Sequence, residues 1–127
     1  MNLTGWLSCL ALSASAVGCE LPSGACTLIG CESGLIVMIQ GSPSGPWRIE
    51  ASAPGLETQV RECPAGSQCP SVQFEGFTPP TATITVTMGE RTATSNVTLA
   101  RRDVQPNGPS CEPVCNQPLV TVAPPPP

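Results

Sequence analysis

The chain contains no histidine, no lysine and no tyrosine. Its only side-chain cations are Arg48, Arg61, Arg91, Arg101 and Arg102, and they form no basic run. A nucleic-acid surface needs a clustered cationic footprint to displace counterions, so nucleic acid is not expected as a partner. Without His or Lys, the commonest general bases and the Schiff-base nucleophile are missing. Aromatic residues are scarce as well: Trp6, Trp47, Phe74 and Phe77 make up the whole set. Any core must therefore be built mainly from Val, Ile, Leu, Ala and Met. Only 11% of residues are charged, which sets the chain apart from highly charged disordered sequences.

The acidic side chains offer little chemistry. Glu50, Glu62 and Glu75 fall on outward strand positions or near turns, and no spacing singles out a glycosidase-like pair. Solvated surface charge is the reading they support. Asp103 is the only aspartate, which argues against a calcium loop. The chain reads as a non-enzyme with no cofactor.

Proline and glycine are abundant, at 16 and 12 residues, and punctuate the chain too often for long helices. A length of 127 residues supports one domain. Eight cysteines are the obvious reinforcement for a core so poor in rings.

At the N-terminus, "LTGWLSCLALSASAVG" (residues 3 to 18) carries no charge. It is too short and too rich in Ser to span a membrane, but fits the apolar region of a secretory signal peptide. Only the α-amino group of Met1 supplies the usual positive charge before it. Two cleavage sites compete. Ala14-Ser15-Ala16 is an A-x-A site that would release a soluble chain beginning at Val17. Alternatively, "AVGC" at 16 to 19 resembles the lipobox of bacterial lipoproteins. That resemblance implies cleavage between Gly18 and Cys19, with a diacylglycerol on the Cys19 thiol. Ala16 departs from the Leu that is commonest there.

Cysteine parity favours the lipobox. Cys9 lies within the signal, so ordinary cleavage leaves seven of the eight cysteines, an odd number that predicts a stray thiol. Lipidation consumes Cys19 and leaves an even set of Cys26, Cys31, Cys63, Cys69, Cys111 and Cys115. Two or more acyl chains hold a protein stably at a bilayer where one does not. The tether from Cys19 to Cys26 spans at most about 25 Å when extended, so the folded body is expected close to the membrane.

Downstream, a period of two bounded by turn residues predicts strands. "GLIVMIQG" is apolar on both faces and suits a central or covered strand. In "WRIEA", Trp47, Ile49 and Ala51 point inward, while Arg48 and Glu50 point outward. "TQVREC" and "SVQFEGF" are short strands, the latter with Val72 and Phe74 on one face. "TATITVTMGERTATSNVTLAR" is the clearest hairpin. Ala82, Ile84, Val86 and Met88 alternate with Thr, "GER" turns, and Val97 and Leu99 face inward on the return. "QPNGPSCEPVC" reads as loop, "LVTV" as a last strand and "PPPP" as a stiff extended tail. About seven short strands argue for an all-β, antiparallel immunoglobulin-like sandwich. "GPWRIEASAPGLE" resembles the second-strand region of carboxypeptidase-regulatory-like domains, which share that sandwich; the resemblance implies architecture and no activity. The expected layout is a signal peptide at 1–18, a lipidated tether at 19–30, a sandwich at 31–123 and a proline tail at 124–127.

Strand direction constrains the bridges. Cys63 ends the third strand and Cys69 begins the fourth, so these two meet at one end and should pair. Cys26, Cys31, Cys111 and Cys115 lie at the other end. Cys31 is four residues before Leu35 and Cys115 four before Leu119, an offset that suits Cys31–Cys115 with Cys26–Cys111. The local pairs Cys26–Cys31 and Cys111–Cys115 are the alternative. The x4, x5 and x3 spacings and the lack of His argue against structural zinc.

Among other candidates, Trp47 is in phase with the core, which argues against a sugar-stacking platform. Asn96-Val97-Thr98 is a glycosylation sequon in mid-strand, left bare in a bacterial lipoprotein. Phe77 is opposite in phase to Phe74, which predicts exposure beside "TPP" and contact with a partner. The expectation is a lipid-anchored protein of the bacterial cell envelope, with the outer membrane as its site. Its partners would be the membrane and an envelope protein or polymer. The alternative is a secreted Cys-rich binding or inhibitor module.

Overall fold

The apolar run "GLIVMI" forms strand β1 (Gly34–Ile39) in a computed structural model, which describes residues 25–127. Leu35, Val37 and Ile39 are buried, while Met38 opens to solvent on the opposite face. β1 is flanked on one side by β4 (Val72–Glu75), antiparallel, and on the other by β9 (Leu119–Val122), parallel. The run is therefore central, as its lack of polar residues suggests, but only one face is covered.

A second sheet has four strands in the order β3-β2-β5-β6, all antiparallel. These are β2 (Trp47–Ser52), β3 (Gln59–Cys63), β5 (Thr81–Met88) and β6 (Arg91–Thr98). Alternation sends Trp47, Ile49 and Ala51, and Ala82, Ile84 and Val86, into the core. The intervening Thr side chains take the wet face, where β-branched residues fit a pleated surface. The turn Gly89-Glu90 joins β5 to β6 on the pair Met88↔Arg91.

The two sheets pack face to face around one apolar cluster that also takes in Phe74, Phe77, Leu99 and Val122. The result is a sandwich-like, all-β domain with no helix among the described residues. Two features of the topology differ from the sequence reading. The first sheet is mixed, not purely antiparallel. β1 and β9 are both entered just after cysteines bridged to each other, so they start at the same end and run the same way. In addition, a two-residue ribbon of β7 (Asp103–Val104) and β8 (Cys115–Asn116), unassigned in the sequence, closes off the expected loop and overlaps it at Cys115. Pairs so short leave no periodic signal.

Phe77 is a clear correction, being buried and not exposed. Gly76 adopts a φ of +70°, the amide of Gly76 donates to Ser33 and that of Phe77 to Phe74. This turn ends the period-two alternation, so phase counted from Phe74 no longer applies. The two rings lie 6.4 Å apart between centroids at 55°, within the range of favourable tilted pairs. The proline tail also behaves differently from a free extension. Pro125 is buried, and Arg91 donates from Nη1 to the Pro126 carbonyl at 3.1 Å.

Trp6, Cys9, the A-x-A site and the lipobox ending at Gly18 and Cys19 lie outside the described residues.

Candidate functional site

Disulfides divide the sandwich into two unlike ends. At the end where β1 and β9 begin, Cys26 bridges Cys111 and Cys31 bridges Cys115, with Cα separations of 5.7 and 6.1 Å. Of the pairings open to these four cysteines, this is the one that suits their matched offsets. Asn107 adds a polar clasp. Its Oδ1 accepts from the Ile29 amide at 2.8 Å and from the Thr27 hydroxyl at 2.6 Å. Its Nδ2 donates to the carbonyls of Ile29 and Glu112. The segment entering the domain is thus tied to the 105–115 loop by two covalent bonds and one side chain. Leu28, Ile29 and Val114, on these same segments, expose apolar surface.

The opposite end gathers the turn before β2, the loop after β3 and the β5–β6 turn. Cys63 and Cys69 bridge there, with Cα atoms 6.0 Å apart. The Gly45 amide donates to Ser67, the Gly66 amide donates back to Gly45, and Gln68 donates to the Ser44 hydroxyl at 2.6 Å. Gly45 is required by close approach: a Cβ there would run into the carbonyl oxygens of Pro64 and Cys63. The indole N–H of Trp47 is spent on the Pro43 carbonyl at 3.0 Å, and its ring is buried, so it offers no stacking platform.

Two adjoining clefts open at this end and share Pro46 and Gly89. One, of about 460 Å³, is lined by Arg48, Glu62, Pro64 and Thr87. The other, of about 620 Å³, is lined by Pro43, Met88, Glu90 and Arg91. Both are shallow and open, whereas sites for small molecules bury most of their ligand. Prolines and a few charged side chains edge both clefts. Arg48 faces Glu62 across the β2–β3 pair and forms an ion pair with Glu50 at 2.9 Å. Such exposed pairs add little to stability, and the rim carries charges of both signs.

The remaining candidates are dispersed. Glu75 is exposed on β4, and Asp103 pairs with Arg101 at 2.8 Å. Asn96 is exposed on β6, where its Oδ1 accepts from the Thr83 hydroxyl at 3.0 Å. Among the described residues no three His, Cys, Asp or Glu side chains gather into a metal-binding group. The prolines, Met88, Glu90 and Arg91 of the clefts were not singled out from sequence. Their signal was the turn composition of "SPSGP", "CPAGSQCP" and "GER", once strand direction puts all three turns at one end. Compared with known proteins, no family model matches the chain, and no curated protein or solved structure is significantly similar to it.

Proposed function

We propose that the protein is a lipid-anchored lipoprotein of a bacterial cell envelope, outer-membrane in location. In this reading its immunoglobulin-like sandwich is a non-enzymatic binding module. The occupant of its clefts is an extended stretch of an envelope protein or polymer. One observation carries this reading: the chain enters through a doubly bridged strap at one end, and the open clefts lie at the other. An anchor at Cys19 then leaves the clefts turned away from the bilayer. The six cysteines from Cys26 onward pair among themselves, so none of these bridges needs Cys19, which leaves its thiol for a lipid. Exposed Leu28, Ile29 and Val114 beside the strap suit a surface held close to lipid.

The experiment is detergent-phase partitioning of the full chain expressed in an exporting bacterium, with intact mass measured before and after reduction. Recovery in the detergent phase is expected, with acyl mass on Cys19 and two hydrogens gained for each of the three bridges. A supernatant protein beginning at Val17, without acyl mass and with a titratable thiol, overturns the anchor. It would leave the secreted binding module in its place.

A further inference from the structure

The sheet edges are not treated alike. On β4, the outward carbonyls of Gln73 and Glu75 are taken by Arg61 at 2.9 Å and Gln59 at 3.0 Å. Those same side chains strap β3 to β4 and close that seam. β9 has only four residues, bracketed by Pro118 and Pro124. Covered carbonyls, short strands and flanking prolines are the usual protections of a sheet edge. β6 has none of them. It is eight residues long, free of proline, uncharged after Arg91, and paired on one side only. Among the described residues, no backbone hydrogen bond from another segment reaches Thr92, Thr94, Asn96 or Thr98.

The sequence of this strand is nearly symmetrical about Ser95. Reading "TATSNVT" outward from Ser95 sets Thr94 against Asn96, Ala93 against Val97 and Thr92 against Thr98. The β5–β6 hairpin already uses the same kinds of pair: Thr83↔Asn96, Thr85↔Thr94, Thr87↔Thr92 and Thr81↔Thr98 on the wet face, and Ala82↔Val97 on the core face. A two-residue turn closes on a hydrogen-bonded pair, here Met88↔Arg91. Alternation then spends the amides of Ala93, Ser95 and Val97 on β5 and aims those of Thr92, Thr94, Asn96 and Thr98 outward. A two-fold axis at Ser95 brings those outward residues together as hydrogen-bonded pairs, in register. We propose that β6 pairs antiparallel with β6 of a second copy of this chain about Ser95, joining two four-stranded sheets into one.

Charge agrees with the symmetry. The middle of the strand is neutral, so no like charges meet. Exposed Glu90 precedes β6 and exposed Arg101 follows it, and the axis brings Glu90 of one copy to the end where Arg101 of the second copy lies. The same end also receives Arg91 of the first copy and Arg102 and Asp103 of the second, so charges of both signs flank a neutral centre. Ala93, Ser95 and Val97, half-buried on the core side, also gain cover. The contact is isologous and closes on itself, so it ends at a dimer and does not grow into a fibre. It does not depend on the lipid anchor or on the clefts.

Cysteine cross-linking in the full chain tests this. Across the axis the two Ser95 Cα atoms lie about 4.5 Å apart, as in any non-hydrogen-bonded antiparallel pair, which permits a disulfide. The two copies of Thr92 lie about 20 Å apart at strand spacing. Ser95→Cys should therefore run as a covalent dimer on non-reducing gels, and Thr92→Cys as a monomer. Thr92→Cys mixed with Thr98→Cys should cross-link. Adding Thr94→Pro, which removes an outward amide but no hairpin bond, should reduce the Ser95→Cys cross-link to background. Sedimentation of the unmodified chain in density-matched detergent gives a readout that no folding defect can confuse. A monomer at every concentration overturns the proposal, as does equal cross-linking of Ser95→Cys and Thr92→Cys.

Discussion

The guanidinium carbon of Arg61 lies 5.2 Å from the centroid of the Phe74 ring, and Arg61 Nε donates to the Gln73 carbonyl next to it. One side chain from β3 thus covers the ring and the backbone edge of β4, in the opposing sheet. The planar guanidinium allows both, since its face stacks while its edge donates. Truncation to Ala removes a cation–π contact and charge-assisted hydrogen bonds. Arg61→Ala should cost about 1–3 kcal/mol in urea denaturation. Arg61→Lys should recover less than half of that, because a point charge cannot form the fork.

The long-range bridges should be strongly non-additive. Cys26–Cys111 and Cys31–Cys115 close loops of 85 and 84 residues, so either one alone closes nearly the same loop. Removing one pair as a double Ser variant sacrifices only a small additional ring and should cost about 2–3 kcal/mol by the chain-entropy relation. Removing the second should cost about 4–5 kcal/mol more by the same relation. Cys63–Cys69, with a separation of only 6, should behave like the first removal. Urea midpoints of the three double variants and the quadruple variant check this order.

Phe77→Ala should destabilise by about 3–5 kcal/mol, as expected for a buried aromatic ring, whereas an exposed residue would change stability by under about 0.5 kcal/mol. Thermal unfolding of the variant separates the two outcomes.

Gly45→Ala should cost about 1–3 kcal/mol through overpacking, because two carbonyl oxygens occupy the space of the new methyl. Hydrogen exchange should localise the loss to the amides of Gly45 and Gly66, whose bonds hold the two loops together. Gly30, where a Cβ meets nothing within 4 Å and the backbone is not left-handed, serves as the spatial control.

How far the fold was legible depended on whether the period of two survived. Trp47, Ile49 and Ala51, and Ala82 through Val86, lie in unbroken alternation, and their inward faces were readable directly. Alternation failed at Gly76, where a single left-handed residue reversed the phase of Phe77. It was silent for β7 and β8, which are shorter than one period pair can show. Strand direction placed Cys26, Cys31, Cys111 and Cys115 at one end, and the matched four-residue offsets suited Cys31–Cys115, but only the folded chain decides against the local pairs. The clefts were not legible from any one segment. Pro43, Pro64 and Glu90 come from three separate turns, and only the assembled sandwich makes them neighbours.

The doubled bridge at the chain's entrance has a mechanical consequence. A pull on the N-terminal segment reaches Cys26 and Cys31 and divides at once, part into β1 and part, through sulfur, into the segment leading to β9. Because β1 and β9 run side by side in the same direction, both feel the tug along their length and are not slid past each other, so the load falls in shear on the rungs between β1 and β4, which do not tear open one by one.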